Sequence, residues 1–342
     1  MPEKNVQECK LCHCGDGLCQ NPPKKEGVVL HLTAERKEVK TVNRQAVNPY
    51  LPSWEYIPDG EPHVFNGRVY VYGSHDRFNA PIFCVNDYVC WSAPVEDLSE
   101  WRYEGVIYRK KQDPKNPLGY HLLFAPDVCQ GPDGRYYLYY AFDFLGIMSV
   151  AVCDTPAGEY KFLGHIHYAD GTLWGRRRGD QLPFDPGVLL DDDGRVWLYS
   201  GFYNAVPAIL TGGHKLRCDG GTVLELEKDM VTIKTEPRVI FPKKGPGAFQ
   251  GHEFFEASSI RKEGKTYIFV YSSRHNHELC YATSQSPDRG FSYGGTLVSQ
   301  GDIFLDSNLS EKHAANYLGN THGGLLKLED KWYVFYHMIS AY

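Results

Sequence analysis

Five acidic or imidazole side chains stand at a nearly constant distance ahead of five similar turns. Asp59 is 8 residues before Gly67, Asp127 is 7 before Gly134 and Asp185 is 9 before Gly194. Glu256 is 8 before Gly264, and His322 is 8 before Asp330. Charges gathered at one point are too unfavourable to persist without partners or a function. The chemistry that such a set suits is hydrolysis of a glycosidic bond. One carboxyl must be protonated to deliver a proton to the leaving oxygen, and another must be ionised to activate water. A third acid beside the donor can raise its pKa by like-charge repulsion and fix its orientation. Glu61 competes with Asp59, because alternation puts both on one face of an extended segment. Glu61 is 6 residues before Gly67, just short of the shared offset, so the spacing favours Asp59.

These residues need an element that repeats. "YIPDGEPHVFNGRVYVYGSHD" reads as strand, Asn-Gly turn, strand, the strongest short hairpin signal. The pattern recurs in "DVCQGPDGRYYLYYAFD", "DPGVLLDDDGRVWLYSGFY", "EASSIRKEGKTYIFVYSS" and "HGGLLKLEDKWYVFYH". The turn residues Gly67, Gly134, Gly194, Gly264 and Asp330 are spaced by 67, 60, 70 and 66. Between copies lie weaker strands with small polar-Pro turns, as in "WSAPVEDLSEW", "VAVCDTPAGEY" and "YATSQSPDRGF". A four-stranded unit of this length, repeated five times, predicts an all-β, five-bladed β-propeller. The first strand of each blade then lines the axis, and the residues at its entry converge on one end of the channel. Opposite sides of that funnel offer the roughly 6.5–9.5 Å gap that an inverting carboxylate pair needs.

Composition agrees with many short strands: 14% aromatic, 34 Gly and 21 Pro. Charged residues make up 23% and the net charge is −6, so neither nucleic acid nor a membrane surface is the expected partner. "MPEKNVQECK" has no apolar signal core, and a cytoplasmic location is expected. Residues 1–45 fall outside the repeat as an N-terminal extension, and 46–342 form the propeller. Only two clear strands mark the last blade, which is expected to be short. Either "GVVLHLTAERKEVKTV" supplies strands that close the ring, or the chain is shortened with an exposed edge. Cys84, Cys90, Cys129, Cys153, Cys218 and Cys280 are expected to be buried thiols. Cys9, Cys12, Cys14 and Cys19, in "CKLCHCGDGLC", offer a zinc set without the usual spacer between knuckles, so a thiol-bearing tail is the favoured reading. Glu253 falls off the repeat and is expected to be solvated or at the substrate rim. Asp191, Asp192 and Asp193 are expected to form a solvated turn, and Arg176, Arg177 and Arg178 a solvated loop.

The five quoted blocks, from residue 46 to the end and in this order, resemble glycoside hydrolase family 43. The resemblance implies a five-bladed propeller and inverting hydrolysis. It also implies removal of α-L-arabinofuranosyl or β-D-xylosyl units from plant-derived carbohydrate, with no cofactor required. By that resemblance Asp59 is the general base, Asp127 the acid that tunes and orients the donor, and Glu256 the general acid. His322 is implied to hold a calcium ion or water in the axial channel. Asp185 is implied to be structural or to line the channel; Glu61, on the same strand face as Asp59 by alternation, is expected to line the site. A proline usually follows the base in relatives, which here favours Glu61 over Asp59. An endo-arabinanase with an open groove and a non-catalytic carbohydrate-binding propeller are the alternatives.

Overall fold

A computed structural model describes residues 48–301, 311–314 and 318–337. The expected extension, its cysteine cluster and "GVVLHLTAERKEVKTV" lie outside them. Among the described residues the regular structure is all strand, apart from two single-turn 3-10 segments, Lys110–Gln112 and Glu311–His313.

Four antiparallel sheets each contain four strands in sequence order. The first is β1 (Glu61–Phe65), β2 (Arg68–Tyr72), β3 (Tyr88–Pro94) and β4 (Arg102–Tyr108). The second is β5 (Asp127–Gln130), β6 (Tyr136–Ala141), β7 (Met148–Cys153) and β8 (Lys161–His165). The third is β9 (Gly187–Leu190), β10 (Val196–Phe202), β11 (Gly220–Leu226) and β12 (Arg238–Pro242). The fourth is β13 (Phe254–Glu263), β14 (Thr266–Ser273), β15 (Leu279–Ser284) and β16 (Ser292–Val298). A two-stranded sheet follows, β17 (Gly323–Leu328) with β18 (Lys331–Tyr336).

Local chemistry explains the hairpins. Asn66 and Gly67 both have positive φ, 50° and 75°, the requirement of a two-residue turn whose twist matches the strands it joins. The aromatic strands that follow the second and third turns, Tyr136–Ala141 and Val196–Phe202, are buried on both faces, because sheets pack against them from either side. Five core clusters bridge neighbouring sheets. Tyr72, Tyr88, Tyr140 and Tyr160 join the first and second. Tyr139, Val150, Leu198 and Leu224 join the second and third. Trp197, Tyr199, Phe269 and Tyr271 join the third and fourth. Val270, Leu279 and Leu325 join the fourth to β17, and Leu326 and Phe335 join the last sheet to Val69 and Val71 of the first.

The first strands β1, β5, β9, β13 and β17 neighbour one another in that order, and β17 returns to β1. This is a propeller, and it places the residues just ahead of those strands around one axis. Gly324 of β17 shows how closely the inner strands approach: a Cβ there would lie 2.5 Å from a carboxylate oxygen of Glu61. The six scattered cysteines are free thiols, five buried and Cys153 half-buried.

Candidate active site

A pocket of about 250 Å³ opens at the axis and is lined by Asp59, Asp185, Glu256 and His322. Its walls are aromatic, with Phe83, Phe124, Phe144, Phe184, Phe202 and Phe255 around the acids. Asp59 and Asp185 each sit two residues before their inner strand, at φ 60° and 46°. Non-glycine residues held at positive φ are uncommon and cluster at functional sites. The left-handed conformation turns each carboxylate out of the ladder and into the pocket.

Glu256 reaches the same place by another route. It lies within β13, but the register shifts on both sides of it, between Phe254 and Ser259, and Ala257 has φ 67°. The bulge re-aims a side chain that a regular strand would hold elsewhere. The Ala257 N–H donates to Asp185 Oδ2 at 3.0 Å, so Asp185 fixes the backbone beside Glu256. Burial first, and then the Asp59 charge, push the Glu256 carboxyl up to about 8. Burial, with Glu256 and Asp59 nearby, also raises Asp185 well above the usual carboxylate range. Glu256 therefore carries its proton at neutral pH.

Asp59 is held on several sides. Ser74 Oγ donates to its Oδ2 at 2.5 Å, and its own N–H donates to His337 Nδ1 at 3.0 Å. His322 Nδ1 lies 3.4 Å from Asp59 Oδ1. Burial lowers His322 to about 4, and His277, 3.9 Å from Glu256, also falls to about 4 for the same reason. Both rings are neutral and can orient the acids without competing for their charge.

Asp127 does not join this group. It is the first residue of β5, paired in register with Tyr139, and is fully buried outside the pocket. His63 Nε2 lies 2.7 Å from its Oδ1; the Val128 N–H donates to Oδ1 and the Val188 N–H to Oδ2, each at 2.7 Å. The residue two before β5 is Ala125, and Ala125 lines the pocket. Counting back from the turn equates Asp127 with Asp59, but the connection after β5 spans residues 131–135 where that after β1 is only Asn66 and Gly67, so the same offset lands on the first residue of the ladder. Glu61, the first residue of β1, is likewise buried outside the pocket and accepts from Arg261 Nη2 at 2.6 Å.

Three other expectations change. Asp191 is not a solvated tip: it is buried against Lys262 and the Tyr267 hydroxyl of the next sheet, while Asp192 is exposed. Arg176 is pinned to the carbonyls of Leu145, Gly146 and Gly175 rather than solvated. Glu253 is half-buried, its Oε2 enclosed and without a hydrogen-bond partner. Asp76, His277 and Asn320 line the pocket although no repeat position marked them.

The implied calcium at His322 can be tested against the donors present. Beside its ring nitrogen stand Asp59 and Asp185, at 3.4 and 3.8 Å. Calcium takes 6–8 oxygen ligands. One nitrogen and two carboxylates already engaged in the pocket do not fit such a cage.

Residues 58–341 match the model of glycosyl hydrolases family 43. A xylosidase/arabinosidase of Thermoclostridium stercorarium is 57% identical over 300 residues, covering 86% of this chain and 61% of that protein. The chain thus spans about three-fifths of the length of that relative. A xylosidase/arabinosidase of Bacteroides ovatus is 29% identical over 317 residues, covering 84% of this chain and 87% of the relative. Among solved structures, a family 43 enzyme from Xanthomonas citri complexed with xylose superposes with a TM-score of 0.62 at 25% identity, covering 82% of this chain and 81% of that one. The match across nearly all of the propeller, together with the 57% identical relative, shows that this chain belongs to glycosyl hydrolases family 43.

Proposed function

We propose that the protein is an exo-acting, inverting glycoside hydrolase that releases terminal α-L-arabinofuranosyl or β-D-xylosyl units from plant-derived oligosaccharides and polysaccharides. Glu256 is the general acid, Asp59 the general base, and Asp185, rather than Asp127, the acid that orients and tunes the donor. The observation that carries this reading is the convergence of Asp59, Asp185 and a protonated Glu256 in one aromatic-walled pocket. Glu256 delivers its proton to the leaving glycosidic oxygen while Asp59 takes one from the water that attacks the anomeric carbon. Atoms balance: the glycosidic C–O bond breaks, a new C–O bond forms to water, and the proton from water remains on Asp59. Carboxyl groups perform every proton transfer, so the chemistry requires no cofactor.

An exo mode is supported by the cavity, whose 250 Å³ falls below the roughly 300–1,000 Å³ of typical ligand sites and suits one sugar unit. The names of the two relatives, xylosidase/arabinosidase, support both sugars. The ring of inner strands supports five blades, with β17 and β18 as the short last one. The test is release from the nitrophenyl glycosides of α-L-arabinofuranose and β-D-xylose, with NMR of the first-formed anomer. Inversion is expected on at least one; initial retention, or release from neither, would overturn the reading.

A further inference from the structure

Outside the pocket, the fourth sheet brings together a histidine, a carboxylate and a thiol. His252 precedes β13, Glu278 precedes β15 and Cys280 lies within β15. Their ligand atoms all lie within 4.8 Å of one another. His252 Nδ1 is 2.9 Å from Glu278 Oε2, Cys280 Sγ is 3.8 Å from that oxygen, and Sγ is 4.0 Å from Nδ1. We propose that His252, Glu278 and Cys280 form a binding site for a zinc-like divalent transition metal.

Geometry and donor type both support this. Zinc binds sulfur at about 2.3 Å and nitrogen or oxygen at about 2.0–2.2 Å, in tetrahedral arrangement. Those lengths place ligand atoms roughly 3.3–3.6 Å apart around the ion. The three observed separations bracket that range, so movements of a few tenths of an ångström admit a metal. A hard cation such as calcium or magnesium prefers oxygen donors, whereas a mixed sulfur, imidazole and carboxylate set selects zinc or a neighbouring transition metal.

An independent sign is that Glu278, 1% exposed, leaves Oε1 buried with no hydrogen-bond partner. A buried carboxylate oxygen without a partner is unfavourable unless something charged completes it. His252 is partly exposed and gives the ion a route in from solvent. The Tyr293 ring stacks on the imidazole, centroids 4.5 Å apart, and orients it. Binding breaks the Cys280 S–H bond, forms a metal–sulfur bond and releases one proton to solvent. The imidazole presents Nδ1 to the metal and keeps its proton on Nε2. Water takes the fourth position.

The site ties together two segments that carry pocket residues. His252 is four residues from Glu256, and Glu278 follows His277, which stands beside Glu256. The Arg274 N–H donates to the Glu253 carbonyl at 2.8 Å, so the segments already touch. A metal clamp here stabilises the walls of the active site without taking part in the reaction.

The test is cobalt(II) titration of the full chain, in a background with Cys9, Cys12, Cys14 and Cys19 all changed to serine, so that only the propeller's thiols report. One cobalt per chain is expected, with sulfur-to-metal charge-transfer absorption. Cys280→Ser should abolish that absorption. His252→Gln, at a partly exposed position, should weaken binding by more than the about 10–100-fold typical of losing an outer-shell partner. Circular dichroism checks that both variants fold. Absence of cobalt binding, or the same spectrum and affinity in folded Cys280→Ser, would overturn the proposal. Zinc should also raise the melting temperature of the tail-substituted chain but not of its His252→Gln derivative.

Discussion

Exchanging one buried carboxylate for an amide at two positions separates the catalytic reading from the structural one. Asp185 lines the pocket and holds the backbone of Ala257, next to Glu256, the proposed proton donor; Asp127 lies outside the pocket. Asp185→Asn should preserve the fold and lower kcat by about 10²–10³, within the range of general acid–base effects and equal to about 3–4 kcal/mol of barrier. Asp127→Asn should behave in the opposite way. Its carboxylate meets His63 and accepts two buried backbone N–H bonds, all three contacts at 2.7 Å. An amide keeps one acceptor oxygen, so at least one N–H loses its charged partner. Hydrogen bonds to charged groups contribute about 1.5–3 kcal/mol each. The expected loss is therefore about 2–3 kcal/mol, a fall in melting temperature of roughly 4–10 °C, with kcat reduced less than tenfold at a permissive temperature. Nitrophenyl glycoside turnover and thermal unfolding by circular dichroism measure the two effects. If Asp127→Asn loses a hundredfold in kcat with its melting temperature unchanged, while Asp185→Asn stays active, the assignment from geometry is wrong.

Other outcomes test the rest of the site. Glu256→Gln should cost far more on xylo- or arabino-oligosaccharides than on nitrophenyl glycosides, because an activated leaving group needs little protonation; equal losses measured side by side would remove its role as acid. Activity should decline above about pH 8 as the Glu256 carboxyl ionises, which a pH profile of kcat will show. The same group binds a proton more tightly when folded, since burial raises it from 4.5 to about 8. Its contribution to stability is whole below about 4.5 and is lost as pH rises through about 8, and Glu256→Gln should remove that part of the slope in denaturant titrations. Arg261→Met should be strongly destabilising, by about 3–5 kcal/mol, because it strands the buried Glu61 charge; urea unfolding measures it.

Much of the architecture was legible in the residues themselves. Five strand–turn–strand copies at near-even spacing determined an all-β propeller, because a period-two pattern bounded by turn residues admits little else and an even repeat has to stack. The same repeat pointed to Asp59, Asp185, Glu256 and His322 as residues at the axis. The repeat could not separate residues inside the inner strand from those two positions ahead of it. That distinction depends on backbone conformation: Asp59 and Asp185 have positive φ, and a bulge aims Glu256, whereas Asp127 lies in a regular ladder. Offsets of 7, 8 and 9 residues look alike along the chain, yet in a strand one residue reverses the face on which a side chain lies. His277, Asp76 and the His252–Glu278–Cys280 cluster come from segments of different length and composition, so no spacing announced them. Only the folding of β13, β14 and β15 into one sheet brings that thiol to its imidazole and carboxylate. Sequence determined which strands repeat; tertiary packing decided which acids share a pocket, because burial and the Asp59 charge, rather than residue type, keep Glu256 protonated.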